Sequence, residues 1–396
     1  MTKNRRQNRA RLGVVALAGA ATLLLAACSG GSGNGGSGGG GDDAQDATIA
    51  ITPAASAQLS PNAPINVKVA NGKLTNVAVT NEKGKAVKGE FSPDKTSWHT
   101  TEDLGYGATY NVDAKANGDG KNTDKKSTVH TIDPKTTAYP ALIPPPGSNN
   151  SIGVGLPLVV QFDHKITDKA AAEKALQVTS TPNQEGAWHW IDDKQVDYRP
   201  KEFWKPGTKI HLHVGIYGVN LGDGVYGKAD RDLDLTVHDS WIAKADANTE
   251  KMTIEHNGKA VKTMPVSMGK DDTPTHSGTH VVSSKSRSYQ MNSCTYGVCS
   301  GPHAYNTTEY YAERISNDGE FVHENPASVG SQGSSNVSHG CINLNEANAS
   351  WFFENFGVGD VVEVANGGGK LPVYDLYGDW SLSWDQWLKG SALHKN

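Results

Sequence analysis

The sequence predicts a mainly β protein of several domains, and three observations lead there. The chain has 396 residues, too many for one ordinary hydrophobic core. Its 44 glycines and 18 prolines, against 7% aromatic residues, favour short strands joined by many turns over packed helices. A strand-like pattern also recurs at roughly the length of one β-sandwich. The 37 basic and 42 acidic side chains, a formal charge of −5, argue against a basic field for nucleic acid and against wholesale disorder.

The N-terminal segment indicates where the protein works. Lys3, Arg5, Arg6, Arg9 and Arg11 precede an uncharged stretch from Leu12 to Ala27, which is short for a membrane span. Residues 1–27 therefore read as an export signal. The segment ends in Leu25-Ala26-Ala27-Cys28, which resembles the bacterial lipobox. That resemblance implies cleavage before Cys28 and lipidation of its thiol, placing the protein on the extracytoplasmic face of the cell membrane; an uncleaved anchor is the alternative. Residues 28–47 turn Gly/Ser-rich and then acidic, a composition with nothing to bury, and are expected to form a flexible tether.

Two related β modules follow, at 48–139 and 140–238. Ile65, Val67 and Val69 alternate after Pro64, as do Leu158, Val160 and Phe162 after Pro157. Trp98 stands nine residues before Gly107 and Tyr198 nine before Gly207, an offset of 100 residues between the pairs. The Pro-rich stretch Pro140 to Pro146 is expected to be the joint between the modules. Asp168 to Leu176 is expected to form one short helix, because Ala170, Ala171, Ala172 and Ala175 are strong helix formers. His211 and His213 share a strand face, but Leu212, Val214 and Ile216 define the buried face, so both histidines point outward and no metal is assigned there. Nothing in either module pairs a nucleophile with a base.

From 239 to 365 the texture changes. Lys251 to Met268 reads as a hairpin around Asn257-Gly258. Strands are expected near His280 to Ser283, Glu320 to His323 and Asp360 to Val364. One helix is signalled by Asn345 as cap, Ala347, Trp351, Phe352 and Phe356 as apolar stripe, and Gly357 as terminator. This is a β-rich domain with one helix packed on its sheet.

Within it lies Ser338-His339-Gly340-Cys341-Ile342-Asn343, preceded by His323 with fourteen residues between His323 and Ser338. A thiol with a free pKa near 8.5 is a weak nucleophile, and an imidazole that accepts or shares its proton raises the thiolate fraction at neutral pH. His339 is followed by a glycine expected to bend the backbone, so His323 on another strand is the safer assignment as base. Gly340 permits close backbone approach to a substrate, and amides around Gly340 and Cys341 are candidates to receive a developing oxyanion.

This constellation resembles the catalytic domain of L,D-transpeptidases, the YkuD-like fold, in which a histidine precedes a Ser/Thr-His-Gly-Cys-apolar-Asn segment by a similar interval. The likeness runs from Trp241 to Val364 through Met264 to Gly269, Thr273-Pro274-Thr275 with Gly278, and Phe321-Val322-His323. The layout of export segment, two immunoglobulin-like modules, catalytic domain and Trp-rich tail resembles the actinobacterial branch of that family. The resemblance implies Cys341 as nucleophile and His323 as general base and then acid, with the backbone carbonyl of Glu324 fixing the imidazole tautomer. His339, Gly340 and Ser338 would complete the catalytic loop, and Tyr305, Met291 and Asn343 would face the substrate, Tyr305 adding its hydroxyl to the oxyanion hole. It further implies a two-step acyl transfer between peptidoglycan stem peptides, yielding 3→3 cross-links through a thioester, with acylation by carbapenems and no metal or organic cofactor.

A hydrolase trimming tetrapeptide stems, an L,D-carboxypeptidase, would use the same residues. A papain-like or NlpC-like peptidase is disfavoured because its cysteine precedes its histidine. A pure wall-binding protein would have no use for the His/Cys pair. Once Cys28 and Cys341 are assigned, Cys294 and Cys299 remain, and outside the cytoplasm spare thiols usually pair. A disulfide between them would stiffen the lid segment that leads to Tyr305; a zinc site with His303 would have only three ligands. In the extension 366–396, Trp380, Trp384 and Trp387 fall at helical spacing and are expected to pack back on the catalytic domain or the second module. The oligomeric state is not legible.

Overall fold

The computed structural model describes residues 45–147 and 150–394. The export segment, Cys28 and all but the end of the expected tether lie outside the described residues.

The first module is a sandwich of two four-stranded sheets. One runs in the order Thr48–Thr52, Asn66–Ala70, Ser97–Thr100, Gly89–Phe91; the other Gln58–Leu59, Lys121–Thr131, Thr109–Gly118, Lys73–Asn81. Side chains alternate in and out along each strand, so Ile49, Val67 and Trp98 from one sheet meet Leu74, Val79, Val112 and Val129 from the other in a single core. The second module repeats this topology. Its sheets run Pro140–Ile143, Leu158–Phe162, Gln195–Pro200, Gly186–Trp190, and Ser151–Ile152, Arg231–Val237, Lys209–Val214, Leu176–Thr181. Trp98 and Tyr198 occupy the same strand of their respective sheets, and Gly107 and Gly207 both take positive φ in the turns that follow. The repeat in the sequence is thus a repeat in space.

The second module adds the helix Lys169–Lys174, capped by Asp168, whose carboxylate accepts from the Ala171 amide at 2.9 Å. His211 and His213 lie on the outer face, against Asp234 at 2.8 Å and Asp232 at 2.7 Å.

The joint between the modules is not the Pro-rich stretch. Pro140–Ile143 is an edge strand of the second sandwich, paired with Leu158–Phe162, and Thr136–Ala138 already pairs with Val225–Gly227. An edge strand tolerates a proline at its first position because that N–H is not needed by the ladder. The chain therefore enters the second module before residue 136. The two modules meet through aromatic side chains capped on backbone. The Tyr106 hydroxyl donates to Gly227 O at 2.7 Å and accepts from the Gly218 amide at 2.9 Å, while the Tyr217 hydroxyl donates to Leu104 O at 2.6 Å.

The third domain has two sheets. Lys259–Pro265, Lys251–His256, Trp241–Asp246, Val361–Ala365 and Gly278–Val281 form the first; Ser284–Asn292, Asn306–Arg314, Phe321–Glu324 and Ile342–Leu344 form the second. The hairpin turns on Asn257 and Gly258, both at positive φ, as a type I′ turn demands. The helix Glu346–Asn355 is capped by Asn345, which accepts from the Asn348 amide at 2.9 Å. Its buried stripe is Ala349, Phe352 and Phe356; Ala347 faces solvent, since the 3.6-residue period that buries Phe352 and Phe356 selects Ala349 instead. Gly357 does not end it in a left-handed cap. Phe356 turns to extended backbone, and the Gly357 amide donates to Asp360 Oδ2 at 2.8 Å.

The seam between the second sandwich and the third domain is made of backbone. The Gly153 amide donates to Val358 O at 2.9 Å and the Gly155 amide to Gly359 O at 2.8 Å. A Cβ on Gly153 would sit 2.2 Å from the Asp360 nitrogen, so only glycine permits this approach. Val281 and Val361 of the third domain share one core with the second sandwich.

The C-terminal tail folds back on the second sandwich. Trp387 is buried, donates its indole N–H to Ala187 O at 2.9 Å, and stacks on His189 with ring centres 4.5 Å apart. The Arg199 guanidinium lies 4.5 Å over Trp380 and 4.8 Å over Trp387. The tryptophan stripe is a packing surface, with the indole N–H groups of Trp380 and Trp387 donating to Gly155 O and Ala187 O.

Candidate active site

Two short parallel strands, Phe321–Glu324 and Ile342–Leu344, set the site, with His323 opposite Asn343. The two-residue alternation sends Val322, Ile342 and Leu344 into the core of the domain. It leaves Phe321, His323 and Asn343 to the opposite face. Just before the second strand, Ser338 to Cys341 make a tight turn that brings the thiol up to that face.

The turn is fastened from several sides. The Ser338 hydroxyl donates to Cys341 O at 2.6 Å and accepts from the Gly340 amide at 3.1 Å. Thr275 donates its hydroxyl to Gly340 O at 2.7 Å, and Thr273 to Ser338 O at 3.1 Å. Gly340 has φ +110°, a left-handed conformation that side chains rarely adopt, and a Cβ there would stand 3.4 Å from Glu320 Cγ. Two expectations change as a result. The Gly340 amide is already engaged by Ser338, so it is not an oxyanion donor. The Ser338 hydroxyl is spent within the turn, so Ser338, which also lines the cleft, shapes the loop that carries the thiol.

Cys341 is 7% exposed and His323 3%. Cys341 is the free cysteine among the described residues, and it shares the lining of one cleft with the His323 imidazole, the two close enough to influence each other's charge. The sulfur also lies 3.6 Å from Gly319 O. On the other side of the ring, Nδ1 donates to the Glu324 carbonyl at 2.6 Å, which fixes the tautomer by backbone alone. The Glu324 side chain takes no part in that contact. Burial by itself would depress the imidazole pKa, but hydrogen bonds and charge from Cys341 and Glu309 outweigh it and hold it up at about 10. The arrangement favours an imidazolium beside sulfur.

The pair opens into a cleft of about 280 Å³. Met291, Tyr305, His339 and Asn343 line it together with Cys341 and His323, so the expected substrate-facing residues converge except for the Glu324 side chain. The Asn343 side-chain oxygen is buried without a hydrogen-bond partner among the described residues. The Tyr305 ring lies 5.6 Å from His339, and burial, with a contribution from Cys341, pushes its hydroxyl up to about 12. It therefore stays protonated and able to donate. His339 turns its ring toward Tyr305 and toward His303, 5.6 Å away, at the lid side of the cleft. Cys294 and Cys299 are joined as a disulfide, Cα atoms 4.1 Å apart. The neighbouring Ser293 hydroxyl accepts from the Tyr305 amide at 2.8 Å, linking the bridged segment to Tyr305.

Sequence reasoning missed Glu309 and Thr307, which also line the cleft. A signal existed. Tyr305, Thr307 and Glu309 are spaced by two on the strand Asn306–Arg314 and its approach, so they share a face. The pattern then breaks because Tyr311 has φ +51°, and Ala312, not Tyr311, packs with Met291, Phe321 and Cys341. Of the described residues, His276, Asp318 and Glu320 form the group that could hold a metal ion, their donor atoms within 4.8 Å of one another. His276 Nδ1 is 3.0 Å from Glu320 Oε1, and Glu320 lies behind Gly340, away from the cleft.

Comparison with known proteins agrees with the geometry. The family described as bacterial Ig domain matches residues 56–220, and that described as L,D-transpeptidase catalytic domain matches residues 240–364. The chain is 44% identical over 333 residues to L,D-transpeptidase 2 of Mycobacterium tuberculosis (strain CDC 1551 / Oshkosh), covering 84% of this chain and 81% of that protein. It is 37% identical over 347 residues to L,D-transpeptidase 5 of Mycobacterium tuberculosis (strain ATCC 25618 / H37Rv), covering 85% of this chain and 75% of that protein. A solved structure of an LD transpeptidase in complex with imipenem is 32% identical, with a TM-score of 0.49, over 57% of this chain and 97% of that chain.

Proposed function

Because the chain belongs to the L,D-transpeptidase family, we propose that Cys341 and His323 carry an acyl transfer that forms 3→3 cross-links between peptidoglycan stem peptides. The observation that carries this reading is the buried Cys341–His323 pair, anchored through Nδ1 and open to a single cleft. Cys341 Sγ, as thiolate, attacks the carbonyl of the third, diamino residue of a tetrapeptide stem. The oxyanion is taken by the Tyr305 hydroxyl and the Cys341 amide. As the C–N bond breaks, His323 gives its Nε2 proton to the departing D-alanine amine, leaving a thioester. The side-chain amine of a neighbouring stem then attacks, His323 takes its proton, and the C–S bond breaks to release the cross-linked dimer and the thiolate.

Carbapenems offer the same thiolate a strained acyl carbonyl, and acylation at Cys341 is expected. The decisive experiment incubates the protein with disaccharide-tetrapeptide and follows products by mass spectrometry. A dimer lacking one D-alanine is expected. Tripeptide alone would make the protein an L,D-carboxypeptidase, and unchanged substrate would leave a wall-binding protein.

The protein is also proposed to be lipidated at Cys28 and held at the extracytoplasmic face of the membrane, on the strength of the Leu25-Ala26-Ala27-Cys28 segment. Cys28→Ala is expected to accumulate as unprocessed precursor or be shed from the membrane fraction. A mature wild-type N-terminus without lipid, read by intact mass, would count against this.

A further inference from the structure

His323 Nδ1 faces two oxygens, and they differ in kind. The Glu324 carbonyl at 2.6 Å is neutral and holds the ring in place whether or not it is charged. Glu309 Oε2, 3.5 Å away, is a carboxylate. It reaches the ring from a different strand, Asn306–Arg314, on the face shared with Tyr305 and Thr307. Its side chain is only 16% exposed, and among the described residues no lysine or arginine pairs with it. A carboxylate so placed needs a cation, and the imidazolium is the one within reach. The titratable groups around the ring are few: Cys341 on the side of the turn, Glu309 across the cleft, and Glu324 next in sequence, with Tyr305 facing the sulfur.

We propose that Glu309 is a positioning residue for His323, turning the Cys341–His323 pair into a thiolate, imidazolium and carboxylate array in which the carboxylate keeps the ring charged until the leaving amine takes its proton. The proposal rests on the reading of Cys341 and His323 as the acylating pair. Nothing moves to Glu309 itself: the proton transferred is the one on Nε2, and the Nδ1 proton stays between the ring and its two oxygens. Burial opposes ionisation of Glu309, but hydrogen bonds from His323 and Thr307 outweigh it and hold the carboxyl below its ordinary value, so it is an anion throughout the working range. The His323 pKa held up at about 10 fits the same arrangement. In the second step the raised basicity of the ring favours uptake of the acceptor amine's proton.

The sign of the effect follows. A charged ring is required to protonate the leaving nitrogen, so acylation declines on the alkaline side as the imidazolium loses its proton. Removing an adjacent negative charge lowers that pKa, and the decline begins at lower pH. The test measures acylation of the full chain by imipenem, as loss of β-lactam absorbance across pH, with the adduct located by peptide mass. For Glu309→Gln, the alkaline limb is expected to move down by about one unit, the scale of an opposite charge at this separation. Glu309→Asp, which keeps the charge, is expected to restore most of that shift; it also serves if the glutamine variant folds poorly. Limbs that superimpose for wild type and Glu309→Gln, with the adduct still on Cys341, overturn this proposal alone. Absence of an adduct on wild-type Cys341 overturns the acyl-transfer reading and this proposal with it.

Discussion

Cys341→Ala is expected to gain no mass on incubation with imipenem and to form no cross-linked dimer from disaccharide-tetrapeptide, while remaining folded. The loss is complete because the other cysteines in the described part of the chain, Cys294 and Cys299, are joined to each other and present no thiol. Folding survives because the side chain removed is small. Cys341 packs with Met291, Ala312 and Phe321, and deleting one sulfur from such a cluster costs about 1 kcal/mol. The turn that carries it is held by Ser338, Thr275 and Thr273, none of which contacts the sulfur in doing so. Intact mass before and after drug, beside a thermal melt, separates the outcomes. A persistent adduct on the alanine variant would remove Cys341 as nucleophile.

His323→Ala is expected to slow acylation by more than about a hundredfold, the usual scale for a positioned general acid and base. The variant loses more than a proton carrier. It leaves the Glu324 carbonyl without its donor and the Glu309 carboxylate without its cation, so some loss of stability accompanies the loss of rate. The stability that His323 contributes has a predictable pH dependence. Its pKa is raised on folding from 6.5 to about 10, so the contribution is fully present below about pH 6.5 and is lost as pH rises through 10. Single-turnover acylation measures the rate, and denaturant melts at two pH values measure the stability. An unchanged acylation rate would shift the proton-handling role to His339, whose ring faces His303 and Tyr305.

What could be read from the chain before its fold was known depended on whether a signal was local. Alternation in Ile65, Val67 and Val69, the Asn257-Gly258 turn and the Asn345 cap are decided by neighbours in sequence, and each appears in the structure where its pattern lies. The Ser338 to Asn343 segment was legible for the same reason, since a turn, a glycine and a thiol must be contiguous to present a nucleophile. Pro140 was misleading because whether a proline breaks a strand depends on which neighbour the strand pairs with, and that partner, Leu158–Phe162, lies beyond the next turn. The Gly340 amide looked available because nothing in the sequence says that the Ser338 hydroxyl will rotate onto it. Glu309 was hidden by its polar neighbours. The spacing by two from Tyr305 is present, but the run from Asn306 to Glu309 is polar and reads as solvent-facing, and the positive φ of Tyr311 that turns Ala312 inward in its place has no signature in the sequence.

The glycine seam between the second sandwich and the third domain constrains how such a protein can be assembled over evolutionary time. Domain shuffling works most readily where neighbours meet through side chains, because surface residues can drift to suit a new partner. Here Gly153 and Gly155 meet Val358 and Gly359 through main-chain hydrogen bonds, at a spacing no Cβ on Gly153 would permit, over a core that contains Val281 and Val361. A recombination event that cut this seam would expose amide groups and apolar surface on both fragments, and a foreign module would have to supply a matching pair of glycines in register. The first sandwich has a core of its own and touches its neighbour through tyrosines such as Tyr106 and Tyr217. Its removal would therefore open no shared core, whereas separating the second sandwich from the catalytic domain would, so those two are expected to fold and unfold as one unit.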